Sequence, residues 1–207
     1  MKNKKRMMRL PLLLMGVFLV FAFSYDKANT FKDLRDGKVY KTVKIGKQVW
    51  MAENLAYAPT RGNYWAYGND DANVEVYGYL YDWYTALNVC PAGWHLPSDE
   101  EWTELTDYLG DNAGGKLKAT GTIGAGTGLW YDPNRGATNE TGFTALPGGT
   151  RGTYGYFGYV GRHGSWWSAT EGTTNYAWSR AMQSVSSIVS RDFKGKELGF
   201  SVRCLRD

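Results

Sequence analysis

The stretch Cys90-Pro91-Ala92-Gly93-Trp94-His95-Leu96-Pro97-Ser98-Asp99-Glu100-Glu101-Trp102 decides how this chain is read, because it spells out a capped helix start and holds one of only two cysteines. Ser98 is spaced to accept from the backbone three residues on, and Glu101 to reach back to the Ser98 backbone; together they form a capping box. Asp99 and Glu100 place negative charge in the first turn, where the helix dipole favours it. Trp102, Leu105 and Leu109 fall on one face and Gly110 follows, so a helix is expected from Asp99 through Leu109. Capping accounts for Glu100 and Glu101 without giving them acid–base work. The second cysteine closes Gly199-Phe200-Ser201-Val202-Arg203-Cys204. A lone pair of this kind in an exported domain, one before a helix and one ending a terminal strand, reads as a disulfide, Cys90 to Cys204.

Working outward, Val39 to Ile45 alternates apolar and polar residues, Gly46-Lys47 offers a two-residue type II′ turn, and Gln48 to Met51 returns as a hairpin. Whether Tyr40 or the set Val39, Thr42 and Val43 faces inward depends on register, which alternation alone leaves open. Residues 59 to 71 are rich in Gly and Asn and read as loop. Between Tyr79 and Leu87, Leu80, Trp83, Tyr84 and Leu87 recur at helical spacing, which predicts a second short helix. Residues 114 to 164 read as long loops with interleaved aromatics. Strand character returns in Gly164 to Ala169, Tyr176 to Met182, Ser187 to Asp192 and Leu198 to Leu205, a small antiparallel sheet. With 9 Trp, 15 Tyr and 26 Gly and few aliphatics, the composition suits short strands and loops packed around stacked aromatics. The expected fold class is an irregular α+β domain with two short helices, a small antiparallel sheet and long Gly-rich loops.

Residues 1–24 have the layout of a secretory signal: Lys2, Lys4, Lys5, Arg6 and Arg9, an apolar run from Leu10 to Phe23, and a small-residue cleavage site ending at Ser24. The apolar run is shorter than the roughly 20 residues a membrane span needs. Tyr25 stands where a lipoprotein requires cysteine, so no stable membrane anchor is expected after cleavage; the alternative is an uncleaved N-terminal anchor, for which Pro11 and the modest cleavage site leave room. Loss of the signal removes five of the 24 basic residues and leaves 19 against 20 acidic ones, a net charge of −1. The basic balance therefore belongs to the signal and gives no ground for a nucleic-acid partner. Residues 25–37 read as a polar lead-in, and 38–207 as one domain. The expected location is extracytoplasmic: periplasm, cell surface or outside.

Trp50-Met51-Ala52-Glu53-Asn54-Leu55, Cys90 to Pro97, Gly136 to Gly149, Trp166-Trp167-Ser168-Ala169-Thr170 and Ser201-Val202-Arg203-Cys204 together resemble the Fibrobacter succinogenes major paralogous domain, from about Asp36 to the end. That family in turn resembles the C-type-lectin-like and formylglycine-generating (sulfatase-modifying) fold. Trp94 to Trp102 corresponds to the latter's Arg-Leu-Pro-Thr-x-x-Glu-Trp segment, and Gly199 to Arg203 to its Gly-Phe-Arg ending. The resemblance implies an irregular α+β fold with two helices and a small twisted sheet, in secreted or surface proteins of gut and rumen type bacteria. It assigns no molecular activity.

The resemblance also raises a rival to the disulfide, the cysteine pair with which formylglycine-generating enzymes bind copper and use oxygen. The region around Gly164-Ser165-Trp166-Trp167 has no cysteine after it until Cys204, so that motif is absent. Zinc would have to recruit Cys90, His95, His163 and Cys204, which lack ligand spacing. No Gly-x-Ser-x-Gly elbow supports a serine triad. Asn69-Asp70-Asp71 and Asp132-Pro133-Asn134 are the nearest oxygen clusters for calcium and read equally as turns. No metal or other cofactor is expected. His95 reads as a hydrogen-bonded core residue and His163 as more exposed. Among the aromatics between Tyr154 and Trp178, Trp166, Trp167 and Trp178 are assigned to core. Tyr154, Tyr156 and Tyr159 are the candidate ligand-binding set. The functional expectation is a non-enzymatic exported module that binds a glycan or a surface protein through loops 114 to 164. An enzyme of the formylglycine-generating superfamily and a structural matrix component are the alternatives.

Overall fold

The computed structural model describes residues 29–207, so the expected signal at residues 1–24 lies outside the described residues. In chain order the elements are β1 (Thr30–Lys32), β2 (Val39–Ile45), β3 (Gln48–Met51), β4 (Tyr64–Trp65), α1 (Ala72–Tyr77), β5 (Leu80–Tyr81), α2 (Trp83–Val89), β6 (Trp94–His95), α3 (Asp99–Leu109), α4 (Ala113–Leu117), β7 (Thr150–Arg151), β8 (Phe157–Gly158), β9 (His163–Thr173), β10 (Tyr176–Gln183), β11 (Ser190–Gly195), β12 (Phe200–Ser201) and β13 (Leu205–Arg206). They form a mixed helix-and-sheet protein in which sheet predominates. One sheet runs β1-β2-β3-β13-β6, a second β11-β10-β9-β12-β5-β4, and β7-β8 stands as a pair. The expectation of two helices and one small sheet is therefore too sparse: four α-helices and three sheets are present among the described residues. Nor is the pairing wholly antiparallel, since β12 meets β9 in parallel.

The expected hairpin forms as β2 and β3, with Gly46 supplying the positive φ of the turn. Both faces of β2 are covered in part, with Tyr40 buried in one core and Ile45 in the other, while Val39 is left 54% exposed. Helix α3 also forms as expected, with both halves of the Ser98–Glu101 capping box present and Gly110 at its end. Trp102 and Leu105 on its face are buried.

Three local readings need correction. The polar lead-in is not a free tether, because residues 30–32 add β1 to the edge of β2 and set Phe31 5.2 Å from Trp94. Two of its charges are partnered: the fully buried Asp33 accepts from Arg35 at 2.6 Å, and Arg35 also donates to the Val89 carbonyl and lies over the Tyr57 ring. The helix read over residues 79–87 splits, because Asp82 acts as an N-cap, accepting from the Thr85 backbone N–H at 2.8 Å. Leu80 consequently lies in β5, and α2 buries Trp83, Ala86 and Val89 while exposing Tyr84 and Leu87. The closing strand also divides: β12 belongs to the second sheet and β13 to the first, with Val202, Arg203 and Cys204 crossing between them.

This crossing welds the two sheets. Backbone N–H groups of Met51 and Leu55 donate to the Cys204 and Val202 carbonyls. Cys204, fully buried, is bonded to Cys90 at the end of α2, with Cα atoms 5.9 Å apart. Pleating of β9 sends Trp166 and Trp167 to opposite faces. Trp166 joins Trp50, Trp102, Trp130 and Phe143 in one core; Trp167 joins Tyr81, Trp83 and Phe200 in the other. Residues 114–164 are thus only partly surface loop, since Trp130, Phe143 and Ala145 have no exposure. An aliphatic-poor chain fills its cores with indoles whose N–H groups find carbonyl partners, as Trp102 does at Trp167, Trp130 at Ala145 and Trp167 at Tyr81.

Helix α3 is pinned to the second sheet by charge. Asp99 accepts from Arg180 of β10 at 2.5 Å and from Arg191 of β11 at 2.8 Å. Burial alone pushes the Asp99 carboxyl up, but the hydrogen bonds and charges of Arg191 and Arg180 outweigh it and hold the group below the usual carboxylate range. Such a group contributes stability that is full above about pH 4 and is lost as pH falls through its folded-state value. Asp33, held down by Arg35 against the same burial, acts with the same sign. We expect the urea midpoint to fall between about pH 7 and about pH 3. Asp99→Asn, already less stable at neutral pH, should show a shallower fall. A wild-type midpoint that ignores pH would refute the assignment.

Candidate functional site

Strands β9 and β10, at 11 and 8 residues, are the longest among the described residues, and their pleat sets the chemistry of each face. On one face, Trp166, Met182 and Arg180 pack toward α3 and the core. On the other, register brings together His163 with Gln183, Ser165 with Ala181, Ala181 with Ser190, and Ser179 with Asp192. Small side chains in the middle of this face leave a depression, a groove of about 480 Å³ closed at one end by Leu198 and Phe200. Its volume lies within the roughly 300–1,000 Å³ of small-molecule sites.

The walls are aromatic. The β7–β8 hairpin is anchored by Arg151, whose guanidinium lies 3.9 Å over the Trp65 ring, and by Phe157, 5.4 Å from Tyr67. Beyond these anchors the Tyr156 ring folds across Gly152, where a Cβ would come within 2.4 Å of the Tyr156 Cζ. Tyr159 stacks on His163 with ring centroids 4.7 Å apart and planes 14° from parallel. It holds φ at +67°, a left-handed backbone that costs a bulky side chain energy and persists where surrounding structure enforces it.

The groove carries almost no net charge. Asp192 and Lys194 on its rim pair at 2.5 Å. Burial and the charge of Arg162 hold the His163 pKa below its ordinary value, so the ring is neutral at pH 7. Ser179 donates to the Asp192 carbonyl. By contrast, the side chains of Ser165, Gln183 and Ser190 make no hydrogen bond within the described residues, although Ser165 is only 5% exposed. Their polar atoms are open to solvent in the groove, since the one buried side-chain polar atom without a partner among the described residues is Asn134 Oδ1.

Of the sequence-predicted tyrosines, the structure brings Tyr156 and Tyr159 to the groove and leaves Tyr154 outside its lining, 94% exposed at the hairpin tip. All three are exposed, as expected, and Trp166 and Trp167 are buried. Trp178 is a partial correction, because it is only half-buried beneath the Arg191 guanidinium, 3.6 Å above its ring. Sequence reasoning missed the floor altogether. Its alternation of Ser, Ala and Gln across three strands could be suspected, but only pairing shows that these residues meet.

Other polar clusters serve the fold. His95 is hydrogen-bonded as expected but is a half-exposed strand residue rather than core, set between Asp207 at 2.6 Å and Glu101 at 3.0 Å. Burial lowers its pKa, and the two carboxylates more than compensate, leaving it raised. With both ring nitrogens engaged, His95 has none left for a substrate. Lys118 is fully buried without a carboxylate; its ammonium donates to the Arg135, Gln183 and Ser186 carbonyls, and burial draws its pKa down to about 8. It ties the loop at Arg135 to the end of β10 and the turn that follows it. A wider cleft of about 760 Å³ between the β2–β3 turn and α3 is bordered by Glu100, Glu104 and Asp107, solvated carboxylates that converge on nothing. Among the described residues no three His, Cys, Asp or Glu side chains gather as metal ligands. Both cysteines are in the disulfide and none is free.

The family model of the Fibrobacter succinogenes major domain matches residues 43–206, and the chain belongs to that family. No curated protein and no solved structure gives a significant match.

Proposed function

We propose, from that membership and from the groove, that the domain is an exported, non-enzymatic binding module that takes a glycan or a protein segment on the β9–β10–β11 face. The observation that carries this reading is the preformed site: unbonded polar groups on a rigid floor, walled by Tyr156 and by the Tyr159–His163 stack. Scaffold-held aromatics beside convergent polar groups are how small-ligand sites gain affinity and orientation. The signal-like residues 1–24 and a disulfide suited to an oxidising compartment support an extracytoplasmic location. The family motifs, with the first and last strands of the domain joined in one sheet, support a C-type-lectin-like or sulfatase-modifying-factor-like architecture. With both sulfurs bonded to each other, cysteine-dependent oxidation of a peptide has no free thiol to start from.

The full chain, expressed for export and purified, is to be screened against an oligosaccharide array and a displayed peptide library. A saturable ligand is expected, with affinity reduced at least about tenfold by Tyr156→Ala, the scale of a truncated aromatic hot spot. Failure to find a ligand in either collection, or a ligand indifferent to Tyr156, counts against the reading.

A further inference from the structure

We infer that the groove takes a neutral sugar ring, laid against the Tyr159–His163 stack with its hydroxyls on Ser165, Gln183 and Ser190; this rests on the binding reading above and names its ligand class.

Charge decides first. An ionic ligand needs an unmatched counter-charge in the groove; the rim carboxylate is already paired with Lys194 at 2.5 Å, and Arg162, whose charge reaches His163, lies over the Tyr131 ring outside the lining. The floor then decides between sugar and peptide. Extended peptides are held chiefly by main-chain hydrogen bonds to an open strand edge. Here the groove lies on a sheet face whose central strand, β10, is paired on both sides, and the one open edge beside it, that of β11, is the side of β11 turned away from β10 and the groove. What remains available is side-chain chemistry: two hydroxyls and a carboxamide, each able to donate and accept. That is the complement of a ring of vicinal hydroxyls, which also donate and accept. A pyranose has in addition one face of C–H bonds, and a flat aromatic surface is the natural seat for it.

Backbone geometry fits this assignment. Tyr159 occupies left-handed φ at +67°, where glycine would be at ease. A protein that keeps a tyrosine there retains strain at the position that builds the aromatic platform, and such strain concentrates at ligand sites. Gly152 has the complementary part. Because the Tyr156 ring crosses it so closely, a methyl group at Gly152 pushes the ring aside without removing it.

The test is saturation-transfer NMR on the full chain with methyl glycosides of glucose, galactose, mannose and xylose and with N-acetylglucosamine, run with EDTA present. At least one probe should bind, with transfer concentrated on C–H protons of one ring face. Tyr159→Gly should weaken it at least about tenfold while the protein melts within a few degrees of wild type, since relief of the left-handed strain offsets the lost ring stack and the freer unfolded chain. Gly152→Ala should weaken it several-fold. If no sugar binds but a library peptide does so in a Tyr156-dependent way, the sugar assignment fails and the binding reading stands. If neither class binds, both fail. Sugar binding untouched by Tyr159→Gly places the site elsewhere and overturns the inference.

Discussion

Arg203→Met is expected to cost on the order of 4 kcal/mol and to lower the melting temperature by roughly 8–16 °C, the conversion for a domain of this size. Arg203 is fully buried where the chain crosses between the sheets, and no carboxylate touches it. Its guanidinium is satisfied by neutral acceptors instead: the Asn54 side-chain oxygen at 2.8 Å, the Met51 carbonyl at 3.2 Å and the Phe143 carbonyl at 2.5 Å, with the Phe143 ring 4.3 Å away. Burial draws its pKa down to about 9, so it stays charged at pH 7. Methionine removes the charge and its desolvation penalty but strands the carbonyls, each at about 1–3 kcal/mol. Asn54 fares better, because Trp166 still donates to it. Arg203→Lys should fare little better than methionine, since a single ammonium cannot span acceptors spaced for a planar fork. Thermal melts of both variants measure this. A methionine variant within about 1 kcal/mol of wild type would show that the crossing is organised by the disulfide and backbone alone.

The Cys90→Ala/Cys204→Ala double variant is expected to lose about 4–5 kcal/mol, which the chain-entropy model gives for a cross-link between residues 114 apart. In melting temperature that is roughly 8–20 °C. The cross-link acts mainly on the unfolded chain, so its removal should also raise the urea m-value, because a longer unfolded chain exposes more surface. Loss of packing around buried Cys204 alone would lower the midpoint and leave m unchanged. Wild type unfolded in the presence of a reductant should track the double variant in both quantities. If the double variant melts with wild type, the cross-link contributes nothing to stability.

How much was legible follows from how local each signal is. Helix α3 could be read to the residue because Ser98, Glu101 and Gly110 cap it through contacts three or four positions apart. The β2–β3 hairpin was equally readable, since alternation and a two-residue turn suffice. By contrast β1 hid behind charged residues whose partners are distant: Asp33 is buried only because Arg35 bends back and reaches the carbonyl of Val89. The helix over 79–87 was misread because the apolar spacing ran through Asp82, and a strand followed by a cap mimics a longer helix. The closing strand was misread because two short strands in line along the sequence serve different sheets. At the groove, the Gly-rich loop setting pointed to Tyr156 and Tyr159 as exposed aromatics, and to Tyr154, which the hairpin carries clear of the lining.

The chain alone therefore determined the capped helix, the hairpin, the pairing of its two cysteines and the family, since each is written in nearest neighbours or in residue types with no competing partner. Only the tertiary structure decided that Trp166 and Trp167 enter separate cores, that Arg203 is satisfied without an acid, and that Ser165, Gln183 and Ser190 share one floor. The physical reason is pleat and register: strand residues two apart share a face, but which strands lie side by side is settled by contacts between segments far apart in sequence.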